Sequence, residues 1–96
     1  MATLEPEQTF ITSDESLDAL CDQLINSSVI AIDTEFMGEE HFIPRLELIQ
    51  VAAEGVAAVI DFPAVQETAP MARFWELVCD ARIAKVLHAG RQDLEL

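Results

Sequence analysis

The run Val29-Ile30-Ala31-Ile32 constrains the fold more than any other part of the chain. It is apolar, mostly β-branched and uncharged, which is how a central strand reads when both its faces are buried. It leads directly into Asp33-Thr34-Glu35-Phe36. Side chains alternate across a strand, so Asp33 and Glu35 project on the same side, their α-carbons about 6.5 Å apart. Two like charges at the end of a buried strand repel each other and resist desolvation. Either something cationic balances them or one of them holds a proton. A divalent metal ion is the simplest answer, because hard cations take carboxylate oxygens. A solvated acid pair at an exposed strand end is the alternative.

The rest of the chain supplies the sheet around that strand. Residues 1–8 are a polar lead-in, and Thr9-Phe10-Ile11 is a short strand. Thr12-Ser13-Asp14-Glu15 has the Thr-x-x-Glu capping-box pattern. The helix it opens runs to about Ile25, with Leu17, Leu20, Cys21, Leu24 and Ile25 on one face. After the strand 29–36 comes a loop holding Gly38, His41 and Pro44. Leu46 to Ala53 is the next strand, and Glu54-Gly55 turns it into Val56 to Asp61. These three strands are expected to form an antiparallel meander.

A proline-bounded connection, 62–70, leads to a helix near 71–80, whose Phe74, Trp75, Leu77 and Val78 are expected to pack on the sheet. Lys85 to His88 then returns parallel to 29–36 through the helical crossover. A last helix is expected to begin near Arg91. The chain stops a few residues later without a capping signal, so residues 1–96 are expected to be the N-terminal portion of a longer domain.

Composition narrows the function. The net charge is −13, and Arg45, Arg73, Arg82, Lys85 and Arg91 are all the cations there are. Simple phosphate-backbone binding needs clustered Lys and Arg. A nucleic-acid partner would therefore be held by metals, by backbone groups or by other parts of the protein. No apolar run approaches the roughly 20 residues of a membrane span. Cys21 and Cys79 lack metal-ligand spacing and read as buried reduced thiols, which suits a cytoplasmic protein.

The second informative constellation is His88-Ala89-Gly90-Arg91-Gln92-Asp93. A strand ends at His88, and Asp93 falls in the first turn of the following helix. Ligand crevices form at such strand ends in open α/β sheets. An acid in a helix first turn is also favoured by the helix dipole alone, and a histidine ending a buried strand is often a satisfied core residue.

Taken together, three segments resemble ribonuclease D and, more broadly, its superfamily of 3′-5′ exonucleases with four metal-binding acids. They are Ile32-Asp33-Thr34-Glu35-Phe36, Pro44-Arg45-Leu46-Glu47-Leu48-Ile49-Gln50 and Lys85 through Glu95. The resemblance implies a ribonuclease H-like α/β fold: a mixed sheet, antiparallel then parallel, flanked by helices. It implies a hydrolase that removes 5′ nucleoside monophosphates from RNA 3′ ends in RNA processing, with transfer RNA and DNA as further candidate substrates. It also implies two divalent ions, Mg²⁺ or Mn²⁺, which in such sites lie about 3.5–4 Å apart.

Asp33 matches the bridging ligand, Glu35 the acid on the water-activating metal, and Asp93 the second motif's acid. Thr34, Phe36 and Met37 would lie near the 3′-terminal nucleotide, and His88 would orient Asp93 or a phosphate. If the strand stays regular, Phe36 is on the face opposite the acids, which gives it a core place instead. The third motif, a Tyr with an Asp four residues on, is not in this chain, and the 96 residues alone are expected to be inactive. The alternative function is a non-catalytic nucleic-acid-binding or protein-binding version of the fold. The three acids argue against it, since a decayed site has no need of them. A third possibility is a phosphatase whose strand ends in an Asp-x-Asp pair, against which stand Glu35 in the second position and the Leu-Ile-Gln hairpin.

Overall fold

A computed structural model describes residues 8–37 and 45–88. Residues 1–7 of the lead-in, the loop carrying Gly38, His41 and Pro44, and the segment with Asp93 and the expected last helix lie outside the described residues. The elements are β1 (Thr9–Ile11), α1 (Asp14–Leu24), β2 (Val29–Met37), β3 (Arg45–Ala53), β4 (Val56–Asp61), α2 (Phe62–Val65), α3 (Ala69–Val78) and β5 (Ala84–His88). The strands form one sheet in the order β1-β4-β3-β2-β5. The meander β2-β3-β4 is antiparallel, as expected, and β5 returns parallel to β2 with Ala31 beside Val86 and Asp33 beside His88. β1 closes the other edge, parallel to β4.

Alternation sends Ile30 and Ile32 of β2, Ile49 and Val51 of β3, and Ala58 and Ile60 of β4 into one core. That core is covered by Leu17, Leu20, Cys21 and Leu24 of α1 and by Met71, Phe74 and Leu77 of α3. Arg73 ties the two helices together. Its Nη1 donates to Asp18 Oδ1 at 2.6 Å and its Nη2 to Asp22 Oδ1 at 2.7 Å. Both carboxylates hold the Arg73 guanidinium above its ordinary pKa, chiefly through these hydrogen bonds. The hairpin between β3 and β4 turns at Glu54-Gly55, where Gly55 has φ 76°, a left-handed conformation that costs glycine little.

The local chemistry differs from the sequence expectation in several places. The N-cap of α1 is Ser13, not Thr12. Its hydroxyl accepts from the Ser16 N–H at 3.2 Å, and Ser16 Oγ accepts from the Ser13 N–H in return. Serine caps better than threonine, and this start puts Asp14 and Glu15 in the first turn, where the dipole favours them. Ile25 is the C-cap and is exposed, having passed the last turn that faces the core.

The connection after β4 contains α2, capped by Asp61 with Pro63 in its first turn. α3 starts at Ala69, two residues earlier than expected, because Thr68 accepts from the Met71 N–H at 3.2 Å and Pro70 occupies the first turn. It ends at Val78, where Cys79 forms the C-cap. Cys79 is therefore exposed, and only Cys21 is a buried thiol. Burial pushes the Cys21 thiol above its ordinary pKa, opposed by nearby Arg73. Trp75 is not sheet packing either. It is 39% exposed and makes edge contacts with Phe62 and Phe74, of which Phe74 is the core residue.

Candidate active site

The helices α1 and α3 cover one face of the sheet, and Asp33 and Glu35 stand on the other. β2 commits Ile30 and Ile32 to the core, so period-two alternation turns Ala31, Asp33 and Glu35 the opposite way. Asp33 is half-buried and Glu35 exposed. Asp33 lies on an interior strand, opposite Gln50 on β3 and beside His88 on β5. The cross-strand neighbours on this face are small: Ala31 faces Ala52, which in turn faces Ala57. Together with Asp33, Gln50 and Val86 they line a shallow depression of about 190 Å³.

A β-bulge sits at the same end of β2. Glu35 pairs with Leu48 but Phe36 pairs with Leu46, so Glu47 is an extra residue on β3. Bulges bend a strand and re-aim side chains, often beside active sites. Nothing in the residue pattern of 45–50 announced it.

The sequence-predicted site residues separate by face. Asp33 and Glu35 share the open face, as their spacing requires. Thr34 and Phe36 point to the helix side, and Phe36 is opposite Leu46, which packs on the core. Phe36 itself is not core: at 41% exposed it lies beyond the cover of the helices. Met37 ends β2 and His88 ends β5 in the backbone register. Asp93 lies outside the described residues. His88, the last described residue of β5, is beside Asp33 and five positions before Asp93 in the sequence.

The donor chemistry fits a hard divalent cation, because Asp33 and Glu35 offer carboxylate oxygens and no thiolate shares their face. Among the described residues no three His, Cys, Asp or Glu side chains converge on one point. Cationic side chains among the described residues do not supply a phosphate patch. Arg73, Arg82 and Arg45 face Asp18 and Asp22, Asp80, and Glu47 respectively, and the Lys85 ammonium donates to the Asp80 carbonyl. Among the described residues no helix is long and apolar enough to cross a membrane.

Comparison with known proteins agrees with this geometry. A family model described as 3′-5′ exonuclease matches residues 8–96, and the chain belongs to that family. Within it the likeness is to ribonuclease D. The chain is 41% identical to ribonuclease D of Granulibacter bethesdensis over 92 residues, covering 95% of this chain and 22% of the relative. It is 46% identical to the Zymomonas mobilis enzyme of that name over 88 residues, covering 90% of this chain and 22% of the relative. Among solved structures it is similar to Escherichia coli RNase D, described as an exoribonuclease involved in structured RNA processing, with a TM-score of 0.74 at 33% identity. That match covers 96% of this chain and 23% of the other. The mixed five-stranded sheet is the ribonuclease H-like fold expected from the sequence. The chain thus spans under a quarter of the length of the relatives it matches.

Proposed function

We propose that this chain forms the N-terminal portion of the exonuclease domain of a metal-dependent 3′-5′ exoribonuclease. It releases 5′ nucleoside monophosphates from the 3′ end of single-stranded RNA in the cytoplasm. The observation that carries the proposal is the placement of Asp33 and Glu35 together on the open face of an interior strand, in a chain of the 3′-5′ exonuclease family. The name and description of E. coli RNase D support RNA as the substrate class. The acidic chain has no cationic patch for phosphates among its described residues, so charge neutralisation at the scissile phosphate falls to bound cations.

Asp33 would bridge two divalent ions, Mg²⁺ or Mn²⁺, with Glu35 on one and Asp93 on the other. When bound, these ions supply Lewis-acid stabilisation of the attacking and leaving oxygens of an in-line displacement. The chain's own contribution is positioning. The interior place of β2 fixes the Asp33 backbone from both sides, through β3 and β5. Thr34, Phe36, Met37 and His88 are proposed to border the terminal nucleotide, Thr34 and Phe36 from the strand's far side.

Calorimetric titration of Mn²⁺ into the full-length protein and its Asp33→Asn variant tests the assignment. The expected result is saturable binding by wild type that is lost or strongly weakened in the variant, together with 3′ trimming of 5′-labelled RNA that stops on chelation. Equal binding by the two proteins would refute it.

A further inference from the structure

The two edges of the sheet are built differently. β1 is three residues long, and a very short edge strand is one of the ways in which proteins keep an edge from pairing further. β5 runs five residues in unbroken register with β2, without proline or bulge. Among the described residues it has no strand on its other side. Its lysine does not guard that edge, because the Lys85 ammonium donates to the Asp80 carbonyl. The Ala84 N–H donates to the Ser28 carbonyl at 2.9 Å. Alternation therefore turns the N–H groups of Ala84, Val86 and His88 toward β2 and those of Lys85 and Leu87 outward. The side chains carry the contrast further. Leu87 lies beside Ile32 on the helix side, yet it is 69% exposed where Ile32 is 6%, so the helix layer stops short of β5. Val86, on the open face, is exposed as well. Adjacent large apolar residues on opposite faces of a parallel strand are the pattern of an interior strand.

We propose that the outer edge of β5 takes a further parallel strand from the part of the full-length protein that follows residue 96, and that the connection to it crosses over Leu87. This rests on the proposed reading of the chain as the N-terminal portion of a longer domain, and the matched relatives are more than four times as long as the region they share with it. A second copy is the poorer occupant, since two chains of net charge −13 repel each other. The side of the connection follows from handedness. β4 and β5 are parallel, because β4–β3 and β3–β2 are antiparallel and β2–β5 is parallel. α3 lies between them in the chain and crosses on the helix side. Parallel crossovers are almost always right-handed, so one that continues outward from β5 in the same direction lies on the same face. That is the face of Leu87, and a crossing there leaves Asp33 and Glu35 uncovered on the other.

The test is amide hydrogen exchange of the full-length protein, read at single residues of β5 and at two protein concentrations, beside thermal melting of Leu87→Asp. The expected result is that the Lys85 and Leu87 amides exchange as slowly as that of Val86 at both concentrations. Leu87→Asp, which places a charge under the connection, should melt more than about 3 °C below wild type. Fast exchange at Lys85 and Leu87 beside a slow Val86, or a smaller shift in melting, would leave β5 an edge strand and overturn the inference. Slow exchange that is lost on dilution would overturn it too, in favour of pairing between two copies. Should Leu87→Asp fail to fold, the wild-type exchange decides by itself. The metal-site reading stands or falls separately on Asp33→Asn. Mn²⁺ binding lost in that variant, with fast exchange at Leu87, refutes the strand addition alone. Equal Mn²⁺ binding with slow exchange refutes the metal site alone.

Discussion

On the helix side of the sheet, β2, β3 and β4 contribute Ile30, Ile32, Ile49, Val51 and Ile60, all buried. One residue along the same strands, on the other side, stand Ala31, Asp33, Gln50, Ala52 and Ala57. The first set can contribute about 1.5–3 kcal/mol for each large side chain buried. The second set contributes little packing, and Asp33 is repelled by Glu35, which follows it on the same face. Stability and chemistry are thus divided between two faces of the same backbone, and the side-chain alternation of a strand is what lets one segment serve both. A corollary is that damage to one face should leave the other's property intact, and the predictions below attack that separation.

The largest effect is expected on the open face. Asp33→Ala in the full-length protein should lower 3′ trimming of RNA on the order of 10³-fold or more, a barrier increase of about 4 kcal/mol. The variant should keep the fold and a cooperative thermal transition. Gel assay and thermal melting check the two halves. Activity within a few-fold of wild type would remove Asp33 from the chemistry.

The converse attack is on the covered face. Ile49→Ala empties a fully buried site under the helices and should cost about 2–5 kcal/mol of stability. Below its lowered melting temperature the variant should bind Mn²⁺ as wild type does. A matching drop in affinity would show that the faces are coupled through β3 and that their separation is too simple. A smaller change is expected at the edge of the core. Thr68→Ala removes the hydroxyl that caps α3 and should cost about 1 kcal/mol by denaturant titration, again with no effect on metal binding.

How legible each face was in the sequence follows from the same division. The apolar run 29–32 and the alternating patterns of 46–53 and 56–61 announced the strands, because burial on one side leaves a period-two signature. The acid pair was legible because i and i+2 share a face whatever the tertiary context. The bulge at Glu47 was not, since an extra residue in a ladder depends on the partner strand rather than on its own composition. The fate of Phe36 and Trp75 was hidden for a related reason. Both are large and apolar, but whether a helix reaches far enough to cover them is set by helix length and crossing, not by the residues themselves. The early start of α3 was readable in hindsight: Thr68 followed by Pro70 is a cap and a first-turn proline.

The smallest effect expected lies away from both faces, in the turn that carries α3 into β5. Asp80 accepts from the Arg82 backbone N–H at 2.8 Å and from its guanidinium at 3.1 Å and 2.9 Å. The Arg82 side chain, then its backbone N–H, hold the Asp80 carboxyl down to about 2. The folded value is therefore below the unfolded one of about 3.9. In that case the unfolded chain takes up the proton first, so the stabilisation is present above about pH 4 and drains away as the pH falls toward 2. Because the Arg82 side chain is largely exposed, solvent and salt screen the pair and the effect is small. The melting temperatures of wild type and Asp80→Asn should differ most near neutral pH, converge between about pH 4 and pH 2, and lie closer together throughout in high salt. A gap that stays constant down to the acid limit would mean that the turn is held by its backbone hydrogen bonds and that the Asp80 charge contributes nothing to folding.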